Sequence, residues 1–271
     1  MASYLVTGVS RGLGFEFLKQ LSDDADNTVF GLVRDKAATD TKVKSQLGER
    51  PNVHILAADI TNYDAIKKSV DYVAEVTGGK LDYIIANAAF QSEVSAFAGI
   101  GDFVDKPDIL EKDLFDNFNI NAVGNIHLIN LYLPLILRGS AKKVIAISTG
   151  MADLDLITKF NIANGAPYAI SKAALNTAIG KFSAQYSDQG VLFMSISPGF
   201  VNTGAWDNPT EEMKQGAAIM GAKFAKYAPH FKGPITPTES VSHVMAVFKK
   251  ASVENGDGGS FVSHFGNKQW L

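Results

Sequence analysis

Tyr168 and Lys172 stand four positions apart in the run Tyr168-Ala169-Ile170-Ser171-Lys172. On a helix that spacing stacks both side chains on one face. An ammonium a few ångströms from a phenol favours the phenolate and draws the tyrosine below its free pKa of about 10. A phenol tuned in this way exchanges a proton with an alcohol or a carbonyl near neutral pH. The same spacing is common on solvated helix faces, so the pair gains meaning only from the residues around it.

A second constellation lies near the start of the chain, in Thr7-Gly8-Val9-Ser10-Arg11-Gly12-Leu13-Gly14. It follows an apolar strand and opens a helical pattern. Gly8 can make the tight turn, Gly12 lets the backbone approach a pyrophosphate, and Gly14 permits close packing of helix on strand. Ser10 and Leu13 lie within the turn, and the helix amino terminus supplies N–H donors and a positive dipole end for phosphates. The next strand ends Leu32-Val33-Arg34. An acidic residue at this place bonds the ribose 2′-hydroxyl of NAD, but here Val33 and Arg34 occupy it. Arg11 and Arg34 together can clamp a 2′-phosphate, which favours NADP(H). Asp35 would face inward only if the strand register shifts by one or two residues.

The elements that must position these groups read as alternating strands and helices. Short Val/Ile/Leu-rich runs at 4–7, 28–33, 53–57, 83–86, 143–148, 192–197 and 259–261 alternate with helical patterns at 13–22, 62–77, 111–137, 167–188 and 238–250. Continuous apolar strands separated by helices predict a parallel sheet covered on both faces, an α/β fold. No repeat or linker divides the 271 residues, and a single domain is expected. Two stretches break the rhythm: Gln91–Pro107 and Gly204–Pro237, the latter with a short helical patch near Glu211–Lys226. The second follows a strand end and is read as a lid over the site, spanning 204–237.

Composition removes several function classes. Hydrophobic residues make up 46%, charged residues 20%, and the net charge of −3 leaves no basic footprint for nucleic acid. The absence of cysteine excludes disulfides and thiolate chemistry, and the five histidines are scattered without metal-ligand spacing. No secretory leader is visible, and the longest apolar run, Ile126–Leu137, is too short to span a bilayer. A soluble cytoplasmic protein without a membrane or nucleic-acid partner is expected.

Taken together the motifs resemble the short-chain dehydrogenase/reductase family, over nearly the whole chain. Thr7–Gly14 is similar to TGxxxGxG, and Asp59-Ile60 to the acidic position that meets the adenine. Asn87-Ala88-Ala89 resembles NNAG, with Ala86 and Ala89 in place of its first Asn and its Gly. Asn121 followed by Gly124 resembles the helix asparagine, Tyr168 and Lys172 the YxxxK pair, and Pro198-Gly199-Phe200-Val201-Asn202-Thr203 the PGxVxT motif.

The resemblance implies a Rossmann-type doubly wound parallel sheet of about seven strands. It also implies an oxidoreductase that interconverts a carbonyl and an alcohol. In it Tyr168 is the general acid or base, and Lys172 holds the nicotinamide ribose while lowering the tyrosine pKa. Asn121 positions a relay water, a serine-type hydroxyl polarises the substrate oxygen, and Val201 and Thr203 help hold the cofactor.

The family ends its fifth strand on a serine pair; here Ser148-Thr149 stands there. Alternate strand residues face opposite ways, so one of the two meets the substrate. Alignment selects Thr149; Ser148 takes the role if the strand ends one residue earlier. The interval from Thr149 to Tyr168 is longer than usual, and its excess, Asp153–Gly165, is either a pocket wall or a surface excursion. Phe90, Phe97, Phe103 and Met151 suggest a roomy apolar pocket, as do Phe200, Trp206, Met213 and Met220. A homodimer or homotetramer pairing through the helices at 111–137 and 167–188 is expected, with Ile120, Val123, Leu128 and Leu131 as a compatible face. Two other readings stand beside the reductase: a dinucleotide-binding regulatory protein without turnover, and an isomerase or cyclase acting on a bulky natural product.

Overall fold

The computed structural model describes residues 2–204 and 210–271. In chain order its first half contains β1 (Ser3–Thr7), α1 (Gly12–Ser22), β2 (Thr28–Val33), α2 (Lys36–Leu47), β3 (Val53–Ala57), α3 (Tyr63–Thr77), β4 (Tyr83–Ala86), α4 (Pro107–Phe118) and α5 (Asn125–Ile136). The second half adds β5 (Lys143–Ile147), α6 (Leu154–Phe160), α7 (Ala166–Gln185), β6 (Leu192–Ser197), α8 (Glu211–Tyr227), α9 (Pro237–Lys250) and β7 (Phe261–Ser263). The strands form one seven-stranded sheet in the order β3-β2-β1-β4-β5-β6-β7, every neighbouring pair parallel.

Alternate residues of each central strand feed opposite cores. Leu5, Ile84 and Val144 join one apolar cluster with Tyr132, Leu175 and Phe193. Val6, Ile85 and Ile145 join the other, with Phe17, Leu18 and Phe248. Both faces are therefore buried, which is why the strands read as unbroken apolar runs. Each fully buried Leu or Phe contributes about 1.5–3 kcal/mol. The chain order reverses between β1 and β4, the switch point where ligands of open α/β sheets sit at the carboxyl strand ends.

Several local expectations are corrected. The pattern at 111–137 is two helices, α4 and α5, joined by a wide π-type turn over Asn119–Gly124. At Gly124 a Cβ would lie 2.7 Å from the carbonyl oxygen of Ile60, so only glycine lets this turn press against the end of β3. Helix α7 ends at Gln185, β5 ends at Ile147, and β7 lies two residues later than expected.

Helix α2 was not expected, because it buries only Thr39 and Val43 and shows no apolar stripe. Its start is fixed by Asp35, whose carboxylate accepts from the Ala38 N–H at 3.0 Å. Residues 153–165 supply α6, with Asp153 accepting from the N–H groups of Asp155 and Leu156. The patch near 211–226 is a full helix, α8. Trp206 lies outside the described residues, as does part of the expected lid.

Candidate active site

The glycine turn connects β1 to α1 at the switch point. Gly8 and Gly12 have φ of +74° and +56°, the left-handed region that favours glycine. A Cβ on Gly14 would fall 2.1 Å from the Gly8 carbonyl oxygen. Thr7, which ends β1, and Asn87, which follows β4, brace the turn. The Asn87 amide donates to Thr7 O at 2.9 Å, and the backbone N–H groups of Asn87 and Ala88 donate to Thr7 Oγ1 at 3.0 and 2.8 Å.

Helix α1 starts after Arg11, and among the described residues no side chain caps its first N–H groups. Two left-handed glycines leading into an uncapped helix start fit a dinucleotide pyrophosphate.

Arg11 and Arg34 are exposed and form no ion pair among the described residues. The Asp35 carboxylate is committed to capping α2 and does not turn inward. A further cation, absent from the sequence-based list, arrives from α2. Lys42 Nζ donates to the Ser10 carbonyl at 3.0 Å and sits 4.3 Å from the Phe15 ring centre. Nothing periodic in the sequence of α2 marks it. Asp59 orders the turn after β3 by accepting from the Thr61 N–H and hydroxyl, both at 2.8 Å.

The segment after β6 closes on the same place. Thr203 packs against Gly12, its Cβ 3.5 Å from where a Gly12 Cβ would stand. Val201 pairs with Ile235, and Asn202 N–H donates to Ile235 O at 3.0 Å. Behind the loop, Ser240 donates to Pro198 O at 2.7 Å. The His264 ring lies against Gly199, whose φ is +84° and whose Cβ would come within 2.7 Å of it. Burial, with His243 beside it, pushes the His264 imidazole down to about 4, so it is neutral. Neither Ser240 nor His264 carries a motif that would reveal this backing role.

Tyr168 and Lys172 do share one face of α7. Gly165, at φ +66°, and Pro167 start that helix. Lys172 is 1% exposed, and its Nζ donates to the carbonyl of Ile147, the last residue of β5, at 2.7 Å. It lies 6.0 Å from the Tyr168 ring centre. Burial governs both groups. It pushes the Tyr168 phenol up to about 12 and the Lys172 ammonium down to about 8. The phenol is therefore raised where a lowering is expected, and loss of solvent is the cause, although Tyr168 as a whole is only half-buried.

Asn121 sits in the π-type turn and ties three elements together. Its Oδ1 accepts from the Phe90 N–H at 2.7 Å, and its Nδ2 donates to Phe90 O at 2.8 Å and to Ser171 Oγ at 2.9 Å. Ser171 in turn donates to the Tyr168 carbonyl at 2.7 Å. The Asn121 side chain is therefore fully engaged, and its own carbonyl accepts from Asn125 Nδ2 at 2.9 Å.

Ser148 and Thr149 follow β5 directly. Ser148 is buried, with a hydroxyl oxygen that has no partner among the described residues. Thr149 is half-buried, and its hydroxyl accepts from the Met151 N–H at 3.2 Å at the head of the short turn Gly150–Ala152.

Above this turn a third apolar cluster forms from Leu156, Ile162, Phe224 and Trp270, with Met151, Phe160 and Met220 against it. Helix α8 also meets the loop after β4, since a Cβ on Gly216 would lie 2.4 Å from Phe97. Phe103 is buried, whereas Phe200 meets Phe224 edge-on and Phe231 at a tilt. On α5, Leu128 is fully buried and Leu131 packs against the core, so these two belong to the monomer and not to an outer face.

Known proteins share this construction. Residues 3–214 match the family model described as short chain dehydrogenase. The chain is 57% identical over 271 residues, all of both chains, to short chain dehydrogenase virK of Hypocrea virens. Its fold is similar to that of the carbonyl reductase Sniffer of D. melanogaster, with a TM-score of 0.78, 23% identity and 98% of each chain covered. It is also similar to NADPH-bound carbonyl reductase from chicken fatty liver, with a TM-score of 0.76, 22% identity and 98% of each chain covered. With the glycine turn, the π-type turn and the Tyr168–Lys172 face all on one parallel sheet, the chain belongs to the short-chain dehydrogenase family.

Proposed function

We propose that the protein is an NADP(H)-dependent carbonyl reductase, working as one nucleotide-binding domain with a substrate lid over 204–237. The observation that carries this reading is the bond from the buried Lys172 ammonium to Ile147 O, which brings the Tyr168 face of α7 to the strand end bearing Ser148 and Thr149. When bound, the dinucleotide supplies or accepts the hydride.

Every other part falls to the chain itself. A phenol pushed up to about 12 stays protonated at neutral pH and donates its proton to the developing alkoxide oxygen. Lys172 uses one of its three N–H donors on Ile147, leaving others for the nicotinamide ribose and for returning a proton to the phenol. Thr149 Oγ is the better polarising hydroxyl, being half-buried and held by the Met151 N–H, whereas Ser148 is closed off. Asn121 holds the Tyr168 helix through Ser171, and so acts by positioning.

The glycine turn, Asn87, Asp59, Ile60, Gly199, Val201 and Thr203 surround the dinucleotide. Arg11, Arg34 and Lys42 favour the 2′-phosphate; the chicken carbonyl reductase described as NADPH-bound has the same fold. Two or four chains assemble, with the exposed Ile109, Phe115 and Phe118 of α4 as the apolar face left over by the monomer. Sedimentation would return a monomer mass if that assembly is wrong.

Mixing the protein with NADPH and a panel of ketones and aldehydes, and following loss of nicotinamide absorbance, tests the activity. Tyr168→Phe should lower kcat by about 1,000-fold while leaving NADPH affinity within twofold. Turnover that survives this change removes the mechanism. Tight NADPH binding with no turnover on any carbonyl favours the regulatory protein instead.

A further inference from the structure

The segment Lys268–Leu271 grips both ends of the turn that carries the Thr149 hydroxyl. Trp270 is 3% exposed and its side chain lies against Gly150, where a Cβ would come within 2.6 Å of Trp270 Cβ and 2.8 Å of its Cγ. Glycine is required there by the indole, because no other residue could let the ring approach this backbone. Gly150 is the first residue of the turn onto which Thr149 Oγ1 is bonded through the Met151 N–H. At the far end of the turn, Asp153 pairs with Lys268 at 3.7 Å. The Lys268 ammonium also stands 4.8 and 5.1 Å from the Phe261 and Trp270 ring centres.

One hydroxyl fixes this segment. Tyr227, the last residue of α8, donates from its phenol to Lys268 O at 3.2 Å and accepts from the Trp270 N–H at 2.9 Å. Its ring meets Phe160, the last residue of α6, edge-on at 5.0 Å. The path from α8 to the reacting hydroxyl is therefore continuous: Tyr227 Oη, Trp270, Gly150, the turn, Thr149 Oγ1. Each link is a hydrogen bond or a contact at packing distance, and no step passes through the sheet.

We propose that Tyr227 and Trp270 are positioning residues for the Thr149 hydroxyl, coupling the docked state of α8 to the geometry of the reacting centre. This rests on the reductase reading and on Thr149 as its polarising hydroxyl. The turn has two holds, the Gly150 N–H on Ser197 Oγ of β6 at 3.0 Å and the Trp270 contact from the α8 side, and loss of the Tyr227 bridge loosens the second. The glycine turn between β1 and α1 shares none of these contacts, whereas Phe200, between Gly199 and Val201, packs on Phe224 of α8.

A double-mutant cycle separates coupling from simple loss of structure. Tyr227→Phe keeps the ring against Phe160 and removes only the bridging hydroxyl. In the otherwise unchanged protein it should lower kcat about tenfold, with NADPH affinity constant within twofold; in a Thr149→Ala background it should lower kcat less than twofold. The same fold-loss in both backgrounds, or none in either, overturns the proposal.

If Tyr227→Phe fails to fold, Lys268→Met takes its place at the partly exposed end, with about a threefold loss in kcat expected and the same disappearance in the Thr149→Ala background. A Thr149→Ala protein with unchanged kcat instead removes Thr149 from the reductase reading. Should the wild-type protein reduce no carbonyl at all, brief trypsin treatment followed by mass measurement still decides the docking. Wild type should keep Gln269–Leu271, and Tyr227→Phe should lose them by cleavage after Lys268; retention in both overturns the proposal.

Discussion

Gly14 and Gly150 each hold a place where a Cβ would collide, and they do so in opposite ways. At Gly14 the obstacle is the Gly8 carbonyl, in the same turn, at 2.1 Å. At Gly150 it is the side chain of Trp270, from the far end of the chain, with its Cβ at 2.6 Å. The first region binds by backbone: N–H groups, a carbonyl, a left-handed turn and a few exposed cations. The second is assembled from side chains of α6, α8 and the segment 268–271, which lie far apart along the chain. Changes in one region should therefore leave the other largely intact.

The sharpest way to break this separation is Gly14→Ala. The added methyl overlaps Gly8 O, so β1 and α1 must part or the turn must unwind, at a cost of about 3 kcal/mol or more. NADPH affinity, read by nicotinamide fluorescence, should fall on the order of 100-fold or beyond, equivalent to that cost. Near-UV circular dichroism from the aromatic cluster around Trp270 should stay close to that of the wild type. Loss of both signals together would mean that the two regions fold as one unit.

This division also decides what was legible in the sequence. The glycine turn, Tyr168 and Lys172 are readable because each depends on short spacings that a strand or helix converts directly into geometry, whereas Asn121 is named only through the family resemblance. Six of the seven strands were located to within a residue because they are apolar on both faces. Helix α2, and Lys42 with it, was hidden because a helix that buries only Thr39 and Val43 carries no apolar period. The break at Asn119–Gly124 was hidden because its cause is Ile60, on another element. Trp270, Tyr227 and His264 were invisible for the same reason: each acts on a residue distant along the chain, and a single sequence carries no signal for such pairs.

Lys172 lies between the two regions, and its titration provides a second test. Its ammonium is pushed down to about 8 from 10.5 by burial, so the folded protein holds this proton less tightly than the unfolded chain. Below pH 8 both states are protonated and the whole penalty is present. Between about 8 and 10.5 the folded state loses the proton first, and stability rises with pH on account of this group. Above that range the penalty is gone.

Lys172→Met should therefore stabilise the protein at pH 7. The pKa difference corresponds to about 3 kcal/mol, and loss of the hydrogen bond to Ile147 removes about 1 of it. Melting temperatures should show a gain for Lys172→Met at pH 7 that shrinks towards pH 10, with turnover abolished at both. A loss of stability at pH 7 would show that the ammonium is better accommodated in the protein than its burial implies.

A smaller effect distinguishes the cations on the cofactor side. Arg34 is exposed and Asp35 is occupied in capping α2, so Arg34→Asp reverses the charge near a 2′-phosphate without disturbing a fold contact. Losing one charge-assisted bond costs about 1.5–3 kcal/mol. The NADPH Michaelis constant should rise at least tenfold and that for NADH less than threefold. Because Lys42 and Arg11 remain, preference should weaken and not invert; equal changes for both cofactors would take Arg34 out of the phosphate site.

The smallest expected effect belongs to a glycine with no obstacle at all. Gly221 lies within α8, and nothing stands within 4 Å of the place its Cβ would take. Alanine there avoids the backbone-entropy cost of glycine in a helix interior, worth about 0.5–1 kcal/mol. Gly221→Ala should raise the melting temperature by a few degrees or less and leave NADPH affinity unchanged, the reverse of Gly14→Ala in both sign and site. Its informative readout is kcat: if α8 must unseat for product to leave, a stiffer helix slows turnover modestly while the Michaelis constant for the carbonyl falls. A Gly221→Ala protein in which NADPH affinity shifts instead would show that α8 is coupled to the glycine turn, and the two regions would have to be treated as one.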